Sequence, residues 1–169
     1  MTVAEFSALP DHFLELHHGE VVEVPPPTIK RQLIQRILRK LFERLASPGS
    51  YVEIEVPFRA LPEYEMRVAD VAYISPGRWE NVDLNDWFLG APDLVIEVLS
   101  PSNTAAEMFE KQQICLENGS KEFWVVDPIR RSVRIFTPDG FMRTWVSGQE
   151  ISLPLFGDSK IAVDAIFNS

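Results

Sequence analysis

Cysteine is nearly absent from this chain of 169 residues, which contains one, Cys115. A single cysteine excludes an internal disulfide and zinc sites built from cysteine pairs, and it is typical of a reducing compartment, so we expect a cytoplasmic protein. No run of 18 apolar residues occurs, which argues against a transmembrane helix. The first residues, MTVAEFSALPDHF, lack the basic start and apolar stretch of a secretory signal.

The short motifs of several common enzyme classes are missing as well. The sequence has no GxSxG elbow, P-loop, GxGxxG turn or HExxH motif. His17 and His18 are consecutive in a predicted strand, so they point to opposite faces and are poorly placed to share a metal. Cys115 falls on the apolar stripe of a predicted helix and suits the core better than nucleophilic catalysis.

Positive charge is scarce, with 16 Lys and Arg against 25 Asp and Glu and a net charge of -9. This balance argues against a protein that coats nucleic acid non-specifically. Residues 30–44 are the exception, because they hold six basic residues against Glu43 and so carry +5, leaving -14 for the rest. The segment is compatible with a solvated helix face or with contact to a phosphate backbone.

The remaining composition, 46% hydrophobic and 24% charged, is that of a globular protein, and we expect one domain over residues 1–169. Hydrophobic periodicity and turn residues predict a β-hairpin over 12–24, a helix over 28–46, strands over 51–60 and 67–75, and a structured loop over 76–92. They further predict a strand over 93–100, a helix over 104–118, a strand over 121–128 and a hairpin over 131–147. From residue 151 we expect a short strand with a terminal helical turn. This order predicts an α/β (α+β) fold with a mixed sheet packed with helices.

The two long predicted helices have recognisable starts. Thr28 can cap the first, and Thr104 with Glu107 has the spacing of a capping box for the second. In the first helix the apolar residues fall on one face, which predicts that they pack on the sheet: Ile34, Ile37, Leu38, Leu41, Phe42 and Leu45. The same spacing predicts that Arg36, Arg39 and Lys40 are exposed.

Two acids lie inside apolar strands, Glu97 in DLVIEVLS and Asp70 in RVADVAYIS. A buried carboxylate is costly unless a charge meets it, and two adjacent carboxylates oppose joint ionisation. A divalent cation would remove that conflict, and oxygen ligands suit Mg²⁺ or Mn²⁺. The alternative is that both acids face solvent from an edge strand or pair with Arg59 or Arg67.

Lys111 lies on the helix that follows the Glu97 strand. At about 100° per residue it flanks the buried stripe of that helix, so it could reach Glu97 or a bound anion once the helix folds back across the strand. The alternative is a boundary lysine that extends to solvent or pairs with Glu107 four residues earlier.

The stretch PDLVIEVLSPSN, followed by a helix with Lys111 and then EFWVVDP, resembles the Uma-two family of restriction endonucleases, within the PD-(D/E)xK nuclease superfamily. The resemblance runs from about Glu15 to the end of the chain and is most specific over 92–128. It implies a restriction-endonuclease-like core with an N-terminal β-hairpin and flanking helices. It also implies a Mg²⁺-dependent (or Mn²⁺-dependent) DNA endonuclease that hydrolyses phosphodiester bonds.

The resemblance assigns roles to four residues. Asp70 matches an acid usually found in an RPDV setting, and Glu97 matches the acid of the (D/E)xK half. Leu99 stands where that motif has its Lys, and Lys111 looks like a migrated substitute that would orient water or offset charge. Glu20 matches a recurrent Gly-Glu acid that would complete the metal shell.

The chain also departs from the family pattern. Ala69 stands where Pro is usual, Cys115 stands where Tyr is common, and PPPTIKRQ lacks a His that often follows the Pro-rich turn. The expected partners are DNA and a second copy of the chain, with no membrane. Two alternatives remain open: a catalytically inactive nuclease-fold module of a defence or mobile-element system, and a hydrolase of another phosphate ester.

Overall fold

The computed structural model describes residues 1–10 and 13–168. The helices in these ranges are α1 Val3–Phe6, α2 Ile29–Leu45, α3 Pro76–Trp79, α4 Ala105–Glu117 and α5 Val163–Phe167. The strands are β1 Leu14–His17, β2 Glu20–Glu23, β3 Tyr51–Arg59, β4 Arg67–Ile74, β5 Phe88–Leu89, β6 Leu94–Val98, β7 Glu122–Asp127, β8 Ser132–Phe136, β9 Met142–Val146, β10 Glu150–Ser152 and β11 Lys160–Ala162. Over these ranges, every helix is too short or too polar to cross a bilayer.

The centre of the fold is a seven-stranded mixed sheet in the order β5-β3-β4-β6-β7-β8-β9. The β3–β5 and β6–β7 pairs are parallel, and the other neighbours are antiparallel. Parallel neighbours need a long crossover, and α4 provides it between β6 and β7. The mixed sheet with flanking helices agrees with the fold class expected from the sequence.

The two long helices cover opposite faces of the sheet. Helix α2 packs Leu38 and Phe42 into one core with Trp124, and α4 packs Ile114 and Cys115 into the other. Every residue of β6 is consequently buried, as the nearly continuous apolar run of 93–100 predicted. Cys115 is a free, buried core residue, and burial raises the pKa of its thiol to about 12.

The predicted hairpin is present as β1 and β2, and its turn places His18 at φ 49° and Gly19 at φ 83°. The first residue of the predicted range, His12, lies outside the described residues. The capping box at Thr104 is confirmed, with the Thr104 hydroxyl and the Glu107 carboxylate each accepting the other residue's N–H. Local patterns of this kind can be read from sequence because their hydrogen bonds close within a few residues.

Several elements differ from the expectation. Helix α1 was not predicted, and the segment 76–92 contains α3 and β5 where a loop was expected. Trp79 of α3 stacks on Tyr51, with the ring centroids 3.9 Å apart, so this segment is ordered by packing rather than by periodicity. At the C-terminus, β10 and β11 form a separate two-stranded sheet.

Helix α2 follows the predicted stripe with two exceptions. Arg36 and Lys40 are exposed, but Arg39 is partly buried, and its Nε lies 3.0 Å from Glu53 Oε1. The expectation that Arg39 is exposed is therefore met only in part, because β3 places an acid beside it. Gln35, a polar residue outside the predicted stripe, is fully buried.

Candidate active site

The candidate site lies where β4 and β6 part. The two strands pair as far as Val71 and Ile96, and one step further in the same register Asp70 stands opposite Glu97. The Val98 N–H donates to Asp70 Oδ2 at 2.7 Å, so a side chain takes the place of a backbone acceptor. Both acids line one cavity of about 260 Å³. The sequence expectation that they face a common cleft agrees with this placement.

The partner of Asp70 is Arg31, from the first turn of α2. The guanidinium donates to both carboxylate oxygens, with Nε 3.2 Å from Oδ2 and Nη2 on Oδ1. The alternative pairing with Arg59 or Arg67 is wrong, because each has another acid. Arg59 Nη1 lies 2.8 Å from Asp86 Oδ2, and Arg67 Nε lies 2.8 Å from an oxygen of Glu65.

Lys111 reaches the cavity from α4, which folds back across the sheet. Its Nζ lies 2.7 Å from Glu97 Oε1, donates to the Val68 carbonyl at 2.6 Å, and lies 3.9 Å from Glu15 Oε1. Burial by itself lowers the pKa of Lys111, but the charges of Glu97, Glu15 and Asp70 outweigh it and raise that pKa above its usual value. The side chain is therefore a buried ammonium surrounded by acids.

Glu97 is a buried acid whose ionised form is opposed by its surroundings. Burial and the charge of Asp70 raise its pKa well above the usual carboxyl range, although Lys111 and Arg31 act in the opposite direction. Its Oε1 lies 2.7 Å from Lys111 Nζ, so the ammonium of Lys111 is the charged partner of this buried oxygen.

Glu15 is a third acid at the cavity, and the sequence analysis did not identify it. From β1 it accepts the Val68 N–H at 3.0 Å, and its Oε2 lies 2.6 Å from His17 Nε2. Burial raises its pKa, but Lys111, His17 and the Val68 N–H outweigh burial and lower that pKa to about 2. The period-two spacing of Glu15 and His17 on one strand face was the available signal.

Glu20 is not brought to the other acids. It stands at the start of β2, opposite His17 in the hairpin, and its side chain is exposed. The hairpin brings β1 beside β4, where the backbones of Leu16 and Met66 exchange hydrogen bonds. Glu15 of β1 and Glu23 of β2 are the hairpin acids that line the cavity. The role of Glu20 in a metal shell remains a prediction from the family resemblance.

Glu55 is a fourth acid at the cavity, and its backbone is unusual. It lies opposite Asp70 between two paired positions of β3 and β4, with φ at 51°, the left-handed region that non-glycine residues rarely adopt. Its Oε1 accepts from Gln35 Nε2 at 2.7 Å, and partial burial, together with the charge of Asp70, raises its pKa. Backbone strain of this kind often occurs at functional sites. In the sequence Glu55 looked like an ordinary outward residue of an alternating strand.

The acids have the chemistry of a Mg²⁺ or Mn²⁺ site. Within the described ranges no group of three His, Cys, Asp or Glu is arranged to hold a metal. Mg²⁺ commonly keeps several waters and uses only one or two protein carboxylates, a requirement that Asp70 and Glu97 can meet. Both carboxylates are already in ion pairs, Glu97 with Lys111 and Asp70 with Arg31, so a cation bound by both would compete with these partners.

The fold of this chain matches that of a solved crystal structure. The crystal structure of a "putative nuclease belonging to DUF820" from Anabaena variabilis ATCC 29413 matches with a TM-score of 0.84 and 21% identity, covering 99% of this chain and 97% of that chain. This likeness establishes the restriction-endonuclease-like fold expected from the sequence.

The sequence profile of the Uma2 (Uma-two) family, described as "Putative restriction endonuclease", matches residues 3–164. The chain therefore belongs to this family, as the resemblance over 92–128 indicated. No curated protein matches the chain. Membership in the family supports a nuclease.

Proposed function

We propose that this protein is a Mg²⁺- or Mn²⁺-dependent DNA endonuclease in which Asp70 and Glu97 hold the metal and Lys111 acts on the substrate phosphate. The observation that carries the proposal is the meeting of two buried acids from neighbouring strands with a lysine, 12% exposed, from the following helix. Family membership supports the same chemistry. A divalent cation bound there would supply Lewis-acid activation of a phosphate oxygen and of a water molecule.

The contribution of Lys111 follows from its surroundings. The charges of Glu97 and Glu15 keep Nζ protonated, and the Val68 carbonyl orients it towards the cavity. A fixed ammonium stabilises negative charge that develops on a phosphate in the transition state. Glu15 acts as a positioning residue, because it binds the Val68 N–H while Lys111 binds the Val68 carbonyl.

A catalytically inactive nuclease-fold module is the second candidate. The observation in its favour is that Arg31 and Lys111 already neutralise Asp70 and Glu97 within the protein itself. In that case the ion pairs would be permanent, and the chain would serve for binding or assembly. Metal titration separates the two candidates, because permanent ion pairs leave no affinity for Mn²⁺.

We also propose that two copies act together on double-stranded DNA. An enzyme with one site per chain cleaves two strands most simply as a two-fold dimer, which is the commonest assembly of soluble proteins. Sedimentation equilibrium with and without a DNA duplex tests this part, and a monomer under both conditions would contradict it.

The central experiment is cleavage of supercoiled plasmid, linear duplex and single-stranded RNA in Mg²⁺, Mn²⁺ and EDTA. We expect metal-dependent DNA cleavage by the natural protein and its loss in Glu97→Gln. Asp93→Asn is the matched control, because Asp93 is an equally buried acid at the other end of β6. Cleavage that survives Glu97→Gln, or the absence of metal-dependent cleavage in the natural protein, would contradict the proposal.

A further inference from the structure

We propose that Arg31 is a displaceable counter-ion. It forms an ion pair with Asp70 in the free protein and is displaced when a divalent cation binds. The displaced guanidinium then binds a phosphate of the nucleic acid. The first part concerns metal affinity alone. The second part rests on the proposed function, because it requires a nucleic-acid substrate.

The position of Arg31 in its helix is unfavourable without Asp70. The first turn of α2 contains no acid, and it carries two cations, Lys30 and Arg31. Cations are disfavoured at the N-terminus of a helix, where the backbone dipole is positive. The Arg31 N–H is used for the cap, on the Thr28 hydroxyl at 3.3 Å, so the side chain contributes nothing to helix initiation. Its favourable interaction is with Asp70.

The guanidinium occupies the oxygens that a shared metal would need. Arg31 contacts both Oδ1 and Oδ2 of Asp70, and Oδ2 also accepts the Val98 N–H. Oδ2 already accepts two hydrogen bonds, so a cation coordinated by both Asp70 and Glu97 would bind Oδ1, where it competes with the like-charged guanidinium of Arg31. Replacement is feasible because the pair borders an open cavity, and the exchange keeps a positive charge beside Asp70.

A released Arg31 side chain has an adjacent place to go. Arg31 lies between the cavity of Asp70 and Glu97 and a second cavity of about 380 Å³. The second cavity is also lined by Lys30, Arg130 and Ile129. The one acid on the second wall, Asp127, is engaged by the N–H groups of Ile129 and Arg130 and by Arg130 Nη1. The three cations on this wall, Lys30, Arg31 and Arg130, are therefore suited to an anion, and guanidinium groups bind phosphate oxygens in pairs.

Displacement of Arg31 couples metal binding positively to nucleic-acid binding. A cation that frees Arg31 raises the affinity for a phosphate, and a phosphate that holds Arg31 raises the affinity for the cation by the same factor. Coupling of this kind usually amounts to roughly 5- to 150-fold. Removing the guanidinium should strengthen metal binding in the absence of DNA and abolish the increase in DNA affinity caused by metal.

The metal half is tested by calorimetric titration of Mn²⁺ into the natural protein, Arg31→Met and Lys30→Met, all without DNA. We expect Arg31→Met to bind Mn²⁺ at least about fivefold more tightly, the lower end of the coupling range. Lys30→Met removes an adjacent charge that is not paired with Asp70 and should leave the affinity within about twofold. Equal affinities in all three proteins, equal gains in both variants, or no binding by any of them would overturn the displacement.

Arg31→Lys is a second variant that tests the same displacement if Arg31→Met does not fold. It keeps the charge but cannot contact both oxygens of Asp70, so it should still bind Mn²⁺ more tightly than the natural protein. The arginine Nε–H resonance that is lost in Arg31→Lys identifies Arg31 by nuclear magnetic resonance. Addition of Mg²⁺ should shift that resonance in the natural protein, and an unchanged resonance at saturating Mg²⁺ would overturn the proposal.

The phosphate half is tested by fluorescence anisotropy with a labelled DNA duplex in Ca²⁺ and in EDTA. The natural protein should gain affinity in Ca²⁺, and Arg31→Met should not. An equal gain in Arg31→Met would overturn the phosphate half. If plasmid cleavage is absent while Arg31→Met still tightens Mn²⁺ binding, the proposed function fails and the displacement survives, so the two failures are distinguishable.

Discussion

Asp93 and Glu97 stand at the two ends of β6, and the residues are 1% and 4% exposed. Asp93 accepts the Ser75 N–H at 2.9 Å, and Arg78 Nη1 lies 3.3 Å from the same oxygen. Arg78 also donates to the Ala91 carbonyl at 2.7 Å, so this group fastens α3 to the start of β6. Glu97 instead faces the cavity beside Lys111.

The difference between the two ends teaches that burial alone does not identify a functional acid. Each acid has one oxygen without a hydrogen bond, so that feature does not separate them either. The two acids differ in their cation. The Arg78 side chain is 33% exposed and donates to backbone carbonyls, whereas the Lys111 side chain is 12% exposed and lies among several acids. At the Glu97 end, two acids and a lysine are removed from water at a cost in desolvation energy, and they line a cavity. This arrangement is expected of a functional site rather than of a structural contact.

Lys111→Met should have the largest effect. Removing one partner of a buried ion pair costs about 3–5 kcal/mol, because Glu97 and Glu15 remain buried without their cation. Cleavage should fall by about 10²-fold or more, the scale of losing one electrostatic stabiliser, while Mn²⁺ binding persists. Denaturant unfolding, cleavage rates and calorimetry measure the three quantities.

Lys121→Met is the matched control at the other end of β6. Lys121 Nζ lies 4.0 Å from Asp93, and its side chain is 64% exposed, so the free energy of unfolding should change by about 0.5 kcal/mol or less. Equal losses of stability in the two lysine variants would erase the contrast between the ends of the strand.

Acid titration examines the charges around Lys111. The folded pKa of Glu15 is about 2, below the ordinary 4.5, so its stabilisation is complete above pH 4.5 and is lost as the pH falls towards 2. At about 1.4 kcal/mol per pKa unit, the loss is on the order of 3 kcal/mol. We expect Glu15→Gln to show a flatter stability profile over this range, measured by urea unfolding at a series of pH values. A profile parallel to that of the natural protein would show that Glu15 is not coupled to Lys111.

Asp93→Asn should cost about 1–3 kcal/mol, because it weakens the hydrogen bonds that hold Ser75 and Arg78. Cleavage per folded molecule should be unchanged, since this acid is remote from the cavity residues in the β6 register. The measurement pairs urea unfolding with cleavage rates normalised to folded protein. A cleavage defect as large as that of Glu97→Gln would make the two acids equivalent and break the comparison.

The smallest effect on stability is expected for Arg36→Glu with Lys40→Glu, two exposed positions on α2. Their charges lack buried partners, so the free energy of unfolding should change by about 0.5 kcal/mol or less. If this face contacts DNA, affinity should fall and its salt dependence should weaken, because fewer counterions are released. Unchanged affinity across a salt series would restrict any DNA contact to other parts of the surface.

The amino-acid sequence by itself determined the local structure and two acids of the site. The apolar run over 93–100 indicated a strand buried on both faces, and the capping box at Thr104 marked the start of α4. Helical spacing placed Lys111 beside the buried stripe of α4, which is why its contact with Glu97 could be anticipated. These inferences succeed because periodicity and capping depend on residues a few positions apart.

The tertiary structure alone decided the rest of the site. Glu15 meets Val68 across 53 positions of sequence, and Arg31 meets Asp70 across 39. Neither contact leaves a trace in local periodicity, since each depends on how the hairpin and α2 dock on β4. Glu55 lines the cavity and has a left-handed backbone angle that its alternating strand pattern does not predict. Strand order and docking set which charges meet, because electrostatic interactions depend on distance in space rather than on separation along the chain.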